Sequence, residues 1–426
     1  MRKLINSMFT TLRVDHASVM KNFFSLTFLK GLEYLVPLFL VPYLVRSLGI
    51  ERYGIVQSAV SFMYIFLVIT NFGFNYSAAR QISIHRNNYH RASQIAGAIL
   101  LLKTALMLLS FVLMMIIAFT LPSLRSELGL IIITFGFIIG DVLFPVWLYQ
   151  GYEKMYLLSR FQIVARLALF VGVLIAVKEP DDYLLYPSIY YGTQIIMALA
   201  TLLMSNRLLG IGISKPTMAI LKEEFILGAK PFMSSLAQVL YTQPRVFYVS
   251  LIASKLMTGT FAIADKAAGV FQLFPVWLFV ISALPRLSYM YEHDREQCLR
   301  VLATYQRWTS IYALITLPIA LFCAPWIIYA FSGSFNEEAT MFFRVLCLET
   351  FILTVNIFLI HYFPISGQFG TFAKIYGVTC IVTLILFIVL SHFMGVFGIV
   401  LSILLSAIFV LLLTLYHRSA EVSLKN

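Results

Sequence analysis

Ten charged residues lie inside stretches that are otherwise almost wholly apolar: the bases Lys30, Lys103, Arg166, Arg245, Lys266 and Arg344, and the acids Glu33, Asp141, Asp265 and Glu349. A charge at the centre of a membrane helix costs about 2.5–3.5 kcal/mol or more, so one retained there faces a partner, a polar cavity or the helix end. Arg344 and Arg166 fall near the ends of their runs, where a long side chain can reach the interface. Lys30, Lys103 and Arg245 are the least able to do so, and together with Lys266 they are the cations suited to an anionic group such as a phosphate. Gln238, Thr242 and Arg245 occupy i, i+4 and i+7 of one helical face, and Asn71 and Asn75 stack at i and i+4. Asp265 shares a face with Gln272, and Glu349 shares one with Asn356. The amides and hydroxyl among these residues suit a hydroxyl-rich solute. Glu33, Asp141, Asp265 and Glu349 are candidates for proton or cation coupling, because desolvation favours the protonated carboxyl. Lys30 and Glu33, three residues apart, can also neutralise each other. Polar faces in both halves imply one aqueous cavity between them.

The elements that must carry these residues are membrane helices. Of 426 residues 60% are hydrophobic and only 12% are charged, with a mean hydropathy of +0.89, which excludes a soluble globular protein. Apolar runs fall near 23–48, 55–78, 95–121, 128–149, 161–177, 184–204, 231–253, 260–284, 308–330, 342–362, 372–391 and 396–416. Because the runs are continuous rather than alternating, they are helices and not strands of a barrel. The expected fold is an all-α polytopic membrane protein with about 12 transmembrane helices in two six-helix lobes around a central cavity. Residues 1–22 are expected to form a cytoplasmic amphipathic segment, with Leu4, Ile5, Met8, Phe9 and Leu12 at helical spacing, and the first span to act as the insertion signal. Residues 23–204 are then the N-lobe, 205–230 a cytoplasmic linker, 231–416 the C-lobe and 417–426 a cytoplasmic tail. Gly54 and Arg80 recur as Gly259 and Arg286, offset by 205 and 206. This spacing fits two parallel repeats, since each half holds an even number of spans.

Charge gives the orientation. Of 31 basic residues, six lie within spans and five (Arg46, Arg52, Arg125, Lys178 and Lys255) lie on outer loops, leaving 20 on the side of the N-terminus. Basic residues concentrate in cytoplasmic loops, so both termini are expected in the cytoplasm. The net charge of +12 is therefore mostly topology and implies no nucleic-acid partner. Among the four cysteines, Cys298, Cys323, Cys347 and Cys380, there is no metal-ligand spacing, and all four read as unpaired packing residues. No Gly-Lys dipeptide occurs, so there is no Walker A loop to hold ATP, and no cofactor or metal motif is present. The outer loops are too short for the catalytic surface of a glycan polymerase or ligase. A cation-coupled drug antiporter would favour acidic over basic cavity residues, the reverse of the balance found. A transporter is the leading class.

The segment Phe144-Pro-Val-Trp147-Leu-Tyr-Gln150-Gly151-Tyr-Glu153-Lys154-Met155 closely resembles the Pro-x-Trp-Leu-x-Gln-Gly-x-Glu-Lys-Met signature of the Wzx-type O-antigen and polysaccharide flippases, within the multidrug/oligosaccharidyl-lipid/polysaccharide (MOP) exporter superfamily. Pro37 to Gly54, Asn71 to Asn75 with Arg80, and Gly259 to Lys266 are similar to other stretches of that family, with Phe261 in place of the usual Tyr and Asp265 in place of the common Glu. The resemblance implies a non-enzymatic flippase of the bacterial inner membrane. Its substrate would be an undecaprenyl-diphosphate-linked oligosaccharide, moved by alternating access, with membrane lipids around it and polysaccharide polymerase and chain-length machinery as partners. Trp147 is expected at the membrane interface, where indole rings anchor.

Overall fold

The structure, a computed structural model, describes residues 16–277 and 284–423 and is helical, with no strand among them. Helix α1 (His16–Asn71) is followed by α2 (Phe74–Ile84), α3 (Tyr89–Thr120), α4 (Gly136–Leu143), α5 (Met155–Ala176), α6 (Leu185–Leu203), α7 (Met218–Thr242), α8 (Lys255–Gly269), α9 (Arg295–Phe322), α10 (Glu337–Ile365) and α11 (Phe369–Ser423), with shorter helices between them. Six stretches are each long and apolar enough to cross a membrane, and the bent pair Arg295–Phe322 and Ala324–Ser332 makes a seventh. Two of the six are too long for one crossing, since a helix rises 1.5 Å per residue and the hydrocarbon core is about 30 Å thick. Both break at a glycine, Gly49 in α1 (φ 78, ψ 160) and Gly395 in α11 (φ 57, ψ −135). Side chains disfavour this backbone region and glycine does not. With α6, α7 and α8 packed among them, the described helices are in keeping with about 12 crossings.

The side chains sort by solvent. On α3, Ile95, Ile99 and Met114 are buried, whereas Leu108, Val112 and Ile116 stay exposed, as lipid-facing positions do when the surrounding medium is itself apolar. One buried core joins both halves, with Leu44 and Leu48 of α1, Phe261 of α8, Phe343 of α10 and Ile403 of α11 packed together.

The repeat landmarks touch each other. A Cβ on Gly54 would strike the backbone of Gly259 and lie 2.9 Å from the Lys255 carbonyl, while one on Gly259 would strike the Ile50 carbonyl. Positions 50 and 54 therefore meet 255 and 259 reciprocally, at the offset of 205 found in the sequence.

Residues 205–230 differ from the linker expected of them. Thr217 caps the next helix by accepting a hydrogen bond from the Ile220 N–H, so α7 begins at Met218, ahead of the apolar stretch. The preceding segment is docked on α3, with the Ser214 N–H donating to the Ser93 carbonyl at 3.2 Å. Arg91 pairs with Glu223, and Phe72 stacks on Phe225 and Phe232. The sequence reading missed this because the first turns of α7 are charged, and hydropathy registers charge rather than docking.

Glu224, in the part of α7 that precedes the apolar stretch, is fully buried, and neither carboxylate oxygen has a hydrogen-bond partner. Burial, with the neighbouring Glu223 charge adding to it and Arg91 opposing, pushes its pKa up to about 7. Between the ordinary carboxyl value and 7 the folded protein then binds more protons than the unfolded chain, so stability falls as pH rises through this window. Glu224→Gln is expected to raise the melting temperature of detergent-solubilised protein at pH 8 and to leave it unchanged at pH 4, as scanning fluorimetry would read.

The Pro-x-Trp segment is a packing device. The short helix Val146–Gly151 lies so close to α2 that a Cβ at Gly151 would sit 2.6 Å from Ile82 Cγ2 and 2.9 Å from the Ala79 carbonyl. Tyr149 donates to the Thr201 carbonyl at 2.8 Å. Trp147 is not an interface anchor but a core residue, 2% exposed, because the helix that carries it turns inward against α2. The four cysteines are free thiols.

Candidate functional site

Helix α7 stops at Thr242, and Pro244, which lacks an N–H, starts the short helix Arg245–Ser250. A break among apolar helices leaves backbone groups that must be bonded locally. Ser61 of α1 does this, donating to the Gln243 carbonyl at 2.9 Å and accepting from the Phe247 N–H at 3.2 Å. The break thereby presents Arg245 at a helix start inside the protein. Its guanidinium lies 2.7 Å from Glu349 of α10 and 3.7 Å from Asp265 of α8. Separated cations and acids were expected to have separate roles, substrate binding and ion coupling; in the structure two acids share one base. A charge in a low-dielectric interior is retained only with such compensation.

These three residues border a cavity of about 620 Å³, whose wall also carries Gln238, Thr242, Lys266, Gln272 and Asn356. The C-half residues singled out from the sequence are thus brought to one place, except Arg344, which is exposed elsewhere. Lys266 is exposed, whereas its neighbour Asp265 turns to Arg245, as adjacent helical positions require. No ion pair reaches Lys266 among the described residues. Three further polar atoms on the lining residues have no hydrogen-bond partner: Arg245 Nε, Asn356 Oδ1 and the Tyr241 hydroxyl. A buried unsatisfied polar group costs about 1–3 kcal/mol, and these three atoms are enclosed behind the cavity wall. Tyr241, Tyr376 and His361 also line the wall and were missed, because an aromatic residue in an apolar run carries no sequence mark of facing a cavity.

The N-half candidates form a second constellation, not part of the first. Lys103 of α3, 1% exposed, donates to Asp141 of α4 at 3.1 Å and to Asn71 Oδ1 at 3.1 Å, and Asn75 donates to Asn71 at 3.2 Å. Asn71, Asn75, Lys103 and Asp141 thus form an ion-pair and hydrogen-bond network of their own, away from the lining of the large cavity. Asp141 also reaches a separate cavity of about 150 Å³ that includes Arg166, so Arg166 faces the interior rather than the interface. Gln162 and Arg166, one turn apart, were the available signal. Lys30 and Glu33 lie on α1, but their side chains fall outside the described residues, as does the segment 1–15. Among the described residues no group of three or more His, Cys, Asp or Glu could hold a metal ion.

A family model described as polysaccharide biosynthesis protein matches residues 19–291. A protein of Escherichia coli (strain K12) named "Putative O-antigen transporter" is 24% identical over 261 residues, which is 61% of this chain and 63% of that protein's length. One of the same name from Shigella dysenteriae is 26% identical over 410 residues, 93% of this chain and 98% of the relative. Among solved structures, an inward-facing multidrug resistance MATE family transporter of the MOP superfamily aligns with a TM-score of 0.73 at 15% identity, over 90% of this chain and 95% of that one. The lipid II flippase MurJ in an inward closed conformation aligns with a TM-score of 0.71 at 14% identity, over 95% and 87%. At such identities the structures speak to the fold, which is that of these transporters.

Proposed function

The chain belongs to the polysaccharide biosynthesis protein family, and from that premise we propose that it carries a lipid-linked oligosaccharide of the O-antigen or related surface-polysaccharide kind across the bacterial inner membrane. The substrate's lipid is undecaprenyl diphosphate, and the two six-helix lobes, 23–204 and 231–416, rock about their interface to give alternating access. Both termini are cytoplasmic, in keeping with the bias of basic residues to that side.

The observation that carries this reading is a large cavity among the helices whose wall holds two acids, Glu349 and Asp265, sharing one base, Arg245, and beside them Lys266, which makes no ion pair among the described residues. A diphosphate brought into such a site meets the Lys266 ammonium, which has no carboxylate within ion-pair distance among the described residues, and charge-assisted hydrogen bonds of this kind are the strong ones. Gln238, Gln272 and Asn356 offer amides for sugar hydroxyls, and Thr242 offers a hydroxyl. Arg245 borders the same space, its guanidinium held by Glu349 and Asp265. The relatives named above are called transporters and the solved neighbours are a transporter and a flippase, which weighs against a glycan polymerase or ligase. Four embedded carboxylates are matched by at least as many bases, and this weighs against a carrier of cationic drugs.

In a bacterial strain lacking this gene, lipid-linked repeat units are expected to accumulate on the cytoplasmic leaflet, and the gene in trans to clear them. Accumulation on the periplasmic side instead would identify a polymerase, and no accumulation would sink the reading. Drug sensitivity of the same strain is expected to be unchanged.

A further inference from the structure

The smaller cavity is not used by the reading above. It lies among α4, α5 and α6, and its polar wall is made by Asp141, Gln162, Arg166, Tyr190, Thr193 and Gln194. We propose that it is a subsite for one sugar ring of the translocated oligosaccharide, an inference that rests on the transport reading and deepens it.

Size and chemistry point the same way. Pockets for drug-sized ligands run to about 300–1,000 Å³, and a space of about 150 Å³ admits a single ring and little more. Gln162 and Gln194 each present a donor and an acceptor, Arg166 presents donors only, and the Thr193 hydroxyl does both. Neighbouring ring hydroxyls, which each donate and accept, match such a mixed wall. Phe137 and Phe144 complete it, giving apolar faces for the C–H side of a pyranose. The nearest neighbour of Gly140 is Gln194, with a Cβ there 3.4 Å from the glutamine's own Cβ, so the absent side chain leaves Gln194 its place beside α4.

Other ligand classes fit poorly. An apolar ligand would bury these polar groups without partners. A cation would find one carboxylate, Asp141, already held by Lys103 at 3.1 Å and with Arg166 on the same wall. Leu169, on the wall of this cavity, packs in the same core as Val41, on the wall of the larger one. The two cavities thus border the same buried core.

The test is saturation-transfer NMR on the full-length protein in detergent, with the methyl glycosides of glucose, N-acetylglucosamine and glucuronic acid as probes. At least one glycoside is expected to give a signal and to lose it in Gln162→Leu and in Gln194→Leu. Thr193→Val, which removes one hydroxyl at nearly constant shape, is expected to weaken the signal several-fold and serves if either leucine variant fails to fold. No signal from any of the three probes, or one that survives the substitutions, overturns the subsite. The transport reading fails by a different result: wild-type protein that does not clear unflipped repeat units in cells, whatever the glycosides do.

Discussion

Lys266→Ala is expected to lower transport of lipid-linked repeat units roughly 10- to 100-fold while leaving membrane insertion and thermal stability at wild-type values. The magnitude follows from the loss of a hydrogen bond to a charged group, worth about 1.5–3 kcal/mol, where 1.4 kcal/mol is about a factor of ten. Stability is spared because Lys266 is exposed and no acid among the described residues depends on it. Lys266→Arg keeps the charge and is expected to retain most of the activity. Surface glycan at wild-type levels in the alanine variant would remove Lys266 from the binding site.

Arg245→Ala is expected to abolish transport by another route, with a loss of stability. Glu349 is 2% exposed and its close partner is Arg245 at 2.7 Å. Breaking a buried pair from one side costs about 3–5 kcal/mol, most of it the penalty of the charge left behind. The melting temperature should therefore fall sharply, and adding Glu349→Gln and Asp265→Asn should restore much of it. Transport should not return in that triple variant, because the guanidinium that bears on the cavity is still missing. Recovery of transport along with stability would show that Arg245 only balances charge. The corresponding N-half pair, Lys103 and Asp141, should behave as a stability element in the same way, since Lys103 is almost fully enclosed.

What could be read from the sequence was whatever travels along one helix. The crossings, the polar face through Gln238, Thr242 and Arg245, and the divergence of Asp265 from Lys266 all follow from helical periodicity and survive in the structure. What could not be read was contact between helices. Lys103 meets Asp141 across 38 residues and Arg245 meets Glu349 across 104, and no spacing rule reaches so far. Internal cations consequently looked free when two of them were paired, and candidates for one cavity proved to belong to two places. Docking was equally invisible: the charged start of α7 read as a linker because nothing in its own residues says that α3 lies against it. Trp147 was misplaced for a related reason, since an aromatic ring near the end of an apolar run serves a core as well as an interface.

The meeting of Gly54 with Gly259 has a further meaning. Reciprocal contact, in which position 50 touches 259 while 54 touches 255, is the signature of an isologous surface, the kind formed when two identical subunits associate about a two-fold axis. At this spot the two halves dock as two copies of one subunit would. Each glycine leaves room for the backbone of the other helix, so a side chain added on either side of the joint would strike its counterpart.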